Sequence, residues 1–143
     1  MISTALARTH RLEFHGLGRE PLSDPERPES YGPGLWWADR FWSGRQFGPG
    51  QRLLVPMDAR TTASPTGIRD YVYYSSGGWS WSVPWIAGLY ALACQVRPDV
   101  TPEVFWREAL ATGRTIRLER NGQAVDFGTI ADPWALITRL QQR

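Results

Sequence analysis

The sequence has no lysine, a single asparagine, Asn121, and a single cysteine, Cys94. One cysteine cannot form an intramolecular disulfide, so a disulfide-stapled secreted scaffold is excluded and a cytoplasmic setting is favoured. All 16 basic residues are arginines, they face 14 acidic residues, and the net charge is +2. Because these arginines are scattered among acids, the sequence does not predict a nucleic-acid-binding surface.

Charge is also absent from Gly77 to Val96. The strictly apolar part of this segment is only Val83–Cys94, and about twenty apolar residues are needed to cross a bilayer. We therefore expect a buried core helix and no membrane span, with Cys94 as a small buried apolar side chain. The N-terminus, MISTALARTHRLEF, also lacks the layout of a signal peptide.

The length is that of a single domain. The residue composition changes at about residue 50. Residues 1–50 are expected to be an ordered, Pro/Gly-rich loop region with short elements. The prolines between residues 15 and 50 are expected to prevent both helices and central strands there. Four aromatic residues are expected to hold this loop against the core: Trp36, Trp37, Phe41 and Trp42.

Residues 51–143 alternate between strand and helix patterns, which predicts an α/β layered core. The predicted elements are strands at Leu53–Met57 and Tyr71–Tyr74, a helix from Ser80 to about Val96, a helix from Pro102 to about Thr112, a hairpin of Thr115–Leu118 and Ala124–Phe127, and a helix from Pro133 to about Leu140. Thr101 and Asp132 are the predicted N-caps of the last two helices. Asn121-Gly122 is a strong hairpin-turn signal.

The chemically informative segment is Gly77–Gly88. Ser80 follows two glycines and lies in the first turn of a predicted helix, where unpaired N–H groups and the positive end of the helix dipole concentrate. A serine there can attack a carbonyl while its own amide stabilises the developing oxyanion. On the residues alone, the alternative is that Ser80 or Ser82 merely caps the helix.

This segment resembles the nucleophile motif of the subtilisin-like serine peptidases (subtilases), Gly-Thr-Ser-x-Ala-x-Pro followed by His-x-Ala-Gly. With Pro84 on the motif proline, Gly78 falls on the glycine, Ser80 on the nucleophile and Gly88 on the last glycine. Three positions depart from the common pattern and resemble a divergent bacterial branch with Gly-x-Ser-Trp-Ser-x-Pro: Trp79, Ser82 and Trp85 replace threonine, alanine and histidine.

The resemblance extends over roughly residues 50–143. Leu53–Pro56 resembles the buried strand that precedes the motif, Val100–Glu103 the start of the next helix, and Asp126–Ile130 the closing strand before the last helix. The resemblance implies the C-terminal portion of a three-layer fold with a parallel sheet, followed by a hairpin and a helix. Further strands would come from a missing N-terminal half, so an open sheet edge is expected.

The resemblance implies a serine endopeptidase that forms an acyl-enzyme on Ser80, with peptides or proteins as substrates. In this family the catalytic histidine and aspartate and the oxyanion asparagine lie N-terminal to the matched part. His10 and His15 do not stand in the family's His-Gly-Thr-His setting, and Asn121 follows Ser80. The chain is therefore interpreted as a partial domain whose partner is the missing N-terminal half. The alternative is a non-catalytic remnant that acts as a binding or structural piece.

Other polar and aromatic residues leave alternatives open. His15 is either a stand-in base or an ordinary loop histidine, and Asp58 and Asp70 are interpreted as turn and cap residues. No cofactor is expected, and no metal site, because the histidines and nearby acids lack any recognisable ligand spacing. Tryptophans can also line a carbohydrate or peptide groove, for which Trp36, Trp37 and Trp42 are the residues available.

Overall fold

The computed structural model describes residues 2–44 and 52–142. The strands are β1 (Glu13–Arg19), β2 (Tyr31–Pro33), β3 (Arg52–Pro56), β4 (Arg60–Ala63), β5 (Tyr71–Tyr74), β6 (Arg114–Arg120) and β7 (Gln123–Ile130). The helices are α1 (Leu6–His10), α2 (Ala38–Trp42), α3 (Trp79–Val96), α4 (Pro102–Thr112) and α5 (Pro133–Gln141). The α/β class predicted from the sequence is confirmed.

One sheet of five strands has the order β2-β1-β3-β7-β6, and β4 and β5 form a separate hairpin. The central strands are parallel: β1 pairs with β3 from Glu13↔Arg52 to Leu17↔Pro56, and β3 pairs with β7 at Leu54↔Ile130. The outer strands β2 and β6 are antiparallel to their neighbours, so the sheet is mixed.

Strand β3 is buried on both faces because each face of the sheet carries a core. Leu53 and Val55 face a core shared with α1, α3, α4 and α5, and Leu54 faces a second core shared with α2 and the hairpin β6–β7. A strand that is buried on both faces has a continuous run of apolar residues. For this reason β3 could be predicted from the sequence.

Helix α3 has the predicted bounds, but only one of its faces is buried. Its fully buried residues are Ser82, Ile86, Leu89 and Ala93. Leu92 is 51% exposed, and Cys94 is half-buried rather than buried. The expectation of burial on most faces is therefore wrong for the described part of the chain, because the sheet, α4 and α5 all contact α3 from the side that carries these four residues.

The expectation that residues 15–50 contain neither a helix nor a central strand is also wrong, since α2 (Ala38–Trp42) lies within them. Strand β1 lies between β2 and β3 in the sheet. Its seven residues precede Pro21 and contain no proline, so every N–H needed for pairing is present. Trp37 and Phe41 are buried and hold the following loop against the core, as predicted.

Among the described residues the five-stranded sheet is open, as the resemblance implies, and its edge strands are β2 and β6. One edge strand, β2, has only three residues and ends at Pro33. The other, β6, carries Arg114, Arg117 and Arg120. Short, charged or proline-containing edge strands resist pairing with another chain, so this sheet is protected at both edges.

The N-cap of α4 gives a first prediction. The Thr101 hydroxyl accepts a hydrogen bond from the Val104 amide at 3.3 Å. We expect Thr101→Ala to lower the free energy of unfolding by about 1 kcal/mol, because this amide loses its acceptor. Thr101→Ser keeps the hydroxyl and should stay near wild type. Urea denaturation measures both variants, and equal stabilities for alanine and serine would contradict the capping role.

Candidate functional site

The glycine-serine segment lies where the hairpin β4–β5 leads into α3. Gly78 is the N-cap of α3 in an extended conformation, and no side chain caps this helix end. Ser80 is the second residue of the helix and is exposed to solvent. The alternative that Ser80 or Ser82 serves as the helix cap is therefore wrong.

The two serines of the motif have opposite environments. Ser82 is fully buried, and its hydroxyl lies 3.5 Å from the Pro56 carbonyl oxygen at the end of β3. Ser80 lies two residues earlier, on a different side of the helix, as the sequence predicts. Of these two hydroxyls, only that of Ser80 is accessible to an incoming substrate.

Asp58 holds the loop that precedes α3 in place. Its carboxylate is buried and accepts hydrogen bonds from the Gly77 amide at 2.7 Å and from the Leu35 amide at 2.8 Å. A Cβ at Gly77 would come within 2.2 Å of the Met57 carbonyl oxygen, so only glycine fits there. One carboxylate therefore joins the loop before α2 to the loop before α3.

The sequence interpretation of Asp58 as a turn residue missed this role. A signal was present, since an acidic residue directly follows the buried run Leu53–Met57, where an unsatisfied carboxylate is costly. Asp70 does behave as a turn residue: its carboxylate accepts a hydrogen bond from the Thr66 hydroxyl at 2.8 Å, and its side chain is exposed.

The supporting residues of the motif lie along α3. Pro84 has no N–H, so the Ser80 carbonyl lacks the hydrogen bond that a helix normally supplies from four residues later. Pro84 and Gly88 are both exposed, and a Cβ at Gly88 would meet open space in the described structure. Gly88 is therefore not required by packing within the described residues.

Aromatic rings surround the residue that precedes Ser80. The His15 ring on β1 stacks on Trp36 with ring centroids 5.1 Å apart and meets Trp79 edge-on at 5.6 Å. Trp36 is 47% exposed and Trp79 is 37% exposed. Trp37 is buried and donates from Nε1 to the Gly16 carbonyl at 2.8 Å, so its expected availability for a binding surface is wrong.

His15 is held in its neutral form. Burial, followed by the positive charge of Arg52, lowers the pKa of His15 to about 4. Its Nδ1 accepts a hydrogen bond from the Gly16 amide at 2.9 Å. An imidazole with this pKa is unprotonated at neutral pH, but it is a weak proton acceptor because a general base works best with a pKa near the operating pH.

The lowered pKa of His15 predicts a pH-dependent stability. Between about pH 4 and 6.5 the unfolded chain binds a proton at His15 that the folded chain does not, so stability rises with pH in this window. We expect the stability lost between pH 7 and 5 to be smaller in His15→Phe than in wild type. Urea denaturation of both proteins at several pH values between 5 and 7 measures this loss. An equal loss of unfolding free energy in the two proteins would contradict the prediction.

The other candidate functional residues named from the sequence do not lie around Ser80. Asn121 is exposed in the β6–β7 turn with φ 53°. Within residues 2–44 and 52–142, no three His, Cys, Asp or Glu side chains are placed to hold a metal ion. No helix in those residues is long and apolar enough to cross a membrane.

A cavity of about 730 Å³ on the described part of the chain does not include Ser80 in its lining. Its lining includes Leu17, Pro56 and Ile130, at or near the carboxyl ends of the three parallel strands, with Trp85 and Trp134 from the helices. Its charged side chains are of both signs, and the Asp132 carboxylate is already engaged by Arg114 and by the Ala135 amide.

Comparisons of the chain with models of known families, with curated proteins and with solved structures find no match.

Proposed function

We propose that this chain is the C-terminal part of a subtilisin-like serine endopeptidase domain in which Ser80 is the nucleophile. The observation that carries the proposal is the placement of Ser80, which is exposed in the first turn of an 18-residue helix. Only Trp79 separates it from the pair Gly77-Gly78, and the Gly77 amide donates to the buried Asp58 carboxylate. The subtilisin-like motif predicts a reactive serine at this position, and a serine with a purely structural role would be expected to cap the helix.

The reaction proceeds through an acyl-enzyme. The Ser80 oxygen attacks the carbonyl carbon of the scissile peptide bond while its proton passes to a histidine base. The C–N bond then breaks, the amine leaves with that proton, and water releases the acyl group by the same route. A first-turn amide has no partner within its helix, so in this proposal the Ser80 amide donates to the oxyanion that forms on the substrate oxygen.

The base, its orienting aspartate and the second oxyanion donor are proposed to come from a polypeptide segment outside these 143 residues. His15 does not replace the base well, because its pKa of about 4 makes it a weak proton acceptor. The exposed outer face of α3, which carries Pro84, Gly88 and Leu92, is the surface that such a segment would cover. If such a segment covered this face, its backbone could pack closely against Gly88, which is a common reason for a glycine in a motif.

The second candidate function is that of a non-catalytic remnant which binds peptides or supports a larger assembly. The half-exposed Trp36 and Trp79 favour it, because aromatic rings that are partly open to solvent are common binding surfaces. The two functions differ in whether Ser80 reacts. The deciding experiment is covalent labelling of Ser80 by a fluorophosphonate when the N-terminal half of the catalytic domain is supplied.

A further inference from the structure

A cleft of about 360 Å³ lies between α1 and the Trp79 ring. Thr4, Ala5 and Ala7 of the N-terminal segment line it together with the rings of Phe14 and Trp79. The Phe14 and Trp79 centroids are 5.8 Å apart. Trp79 immediately precedes Ser80, so this cleft adjoins the proposed nucleophile.

The volume and lining of the cleft select one kind of occupant. Ligand pockets for whole small molecules span about 300 to 1,000 Å³, so this cleft is at the small end and suits a single bulky side chain. Alanine and aromatic walls bind apolar groups by removing their surface from water.

Charge at the rim adds a second requirement. The exposed Arg8 side chain lines the cleft, and no carboxylate of the described residues forms an ion pair with it. Arg11 lies on the same short segment. A positive rim above an apolar cleft is complementary to a bulky apolar group that has a negative group beside it.

We propose that this cleft is a substrate subsite that holds one bulky apolar side chain of a peptide, with a carboxylate of that peptide next to Arg8. The proposal rests on the proposed function, since the occupant is taken to be a peptide substrate of Ser80. Trp79, which stands where the common subtilase motif has threonine, is then a specificity-determining residue.

The test uses the full chain labelled with 5-fluorotryptophan and followed by ¹⁹F NMR. The eight tryptophans give eight signals, and the variants Trp79→Phe and Trp134→Phe assign two of them. Three peptides are titrated: acetyl-Ala-Ala-Ala-Phe with a free carboxylate, its C-terminal amide, and acetyl-Ala-Ala-Ala-Gly with a free carboxylate.

We expect the Phe acid to move the Trp79 signal and to leave the signal of Trp134, which is 82% exposed on α5, unchanged. The Phe acid should bind about tenfold more tightly than the Gly acid, because a phenylalanine side chain is buried. It should bind about two- to fivefold more tightly than its amide, and Arg8→Gln should remove that difference. A Trp79 signal that stays fixed, a Trp134 signal that moves equally, or equal binding of the Phe and Gly acids would overturn the subsite.

A variant that fills the cleft separates this proposal from the proposed function. Ala7 is exposed, so Ala7→Leu should occupy the cleft without disturbing the core. It should weaken binding of the Phe acid at least fivefold, while a small fluorophosphonate, which carries no side chain, still labels Ser80 in the completed domain. Unchanged binding in Ala7→Leu would refute the subsite even if Ser80 is labelled. Loss of labelling in every protein would refute the nucleophile even if the peptides bind.

Discussion

Fluorophosphonate labelling of Ser80 is expected to be undetectable in the isolated chain and to appear once the N-terminal half of the catalytic domain is supplied, fused or in trans. Without an imidazole of suitable pKa the serine hydroxyl stays protonated and has no general base. Loss of triad members in subtilisin slows catalysis about 10⁶-fold, leaving only what binding and the oxyanion hole provide. In the proposed domain the asparagine donor would also lie outside this chain, and its loss would add about 3–4 kcal/mol to the barrier.

Two serine variants of the completed domain form a matched pair. Ser80→Ala should abolish labelling, because the nucleophilic oxygen is gone. Ser82→Ala should keep it, because the Ser82 hydroxyl is buried against the Pro56 carbonyl. Labelling that survives Ser80→Ala would show that the motif has been aligned in the wrong register.

The isolated chain also provides a decisive result. If Ser80 of the 143-residue chain were labelled without any added segment, the chain would have to contain its own general base. His15 would then have to act as the base despite its low pKa, and His15→Phe would be expected to remove the labelling.

The elements that the sequence predicts well are those with local signals. Helix α4 begins where Thr101 caps it and Pro102 occupies its first position, and α5 begins in the same way at Asp132. The hairpin β6–β7 turns at Asn121-Gly122, both of which have positive φ. In each case the residues that set the boundary are within a few positions of it, so no knowledge of the fold is needed.

The features that were missed depend on distant partners. Strand β1 includes Gly16 and Gly18, which weaken a strand pattern, and it is a strand because β3, some forty residues later, pairs with it. Helix α3 has apolar residues on all of its faces, so the sequence alone does not show which face is exposed. The exposed face is set by the elements that pack against the helix. For the same reason, the sequence identified Ser80 as a candidate but did not show that Asp58 holds the loop before it.

Replacement of Asp58 by alanine is expected to cost about 3–5 kcal/mol of unfolding free energy. The change removes the acceptor of the Gly77 and Leu35 amides, whose hydrogen bonds to Asp58 are part-buried. Each hydrogen bond to a charged acceptor contributes about 1.5–3 kcal/mol. These amides are 19 and 23 residues away in sequence, so the two loops would lose the contact that joins them. Urea denaturation followed by tryptophan fluorescence measures the loss.

Two further substitutions show whether a carboxylate is required. Asp58→Asn keeps the shape of the side chain but replaces one acceptor oxygen with an N–H donor, which would face an amide donor from Gly77 or Leu35. We expect it to be markedly less stable than wild type, whereas Asp70→Ala, at an exposed turn, should lose less than about 1 kcal/mol. An asparagine variant as stable as wild type would show that the second hydrogen bond is dispensable. If both bonds are needed, the completed domain carrying Asp58→Asn should label more slowly than wild type while remaining folded, because the glycine pair before Ser80 would no longer be held in place.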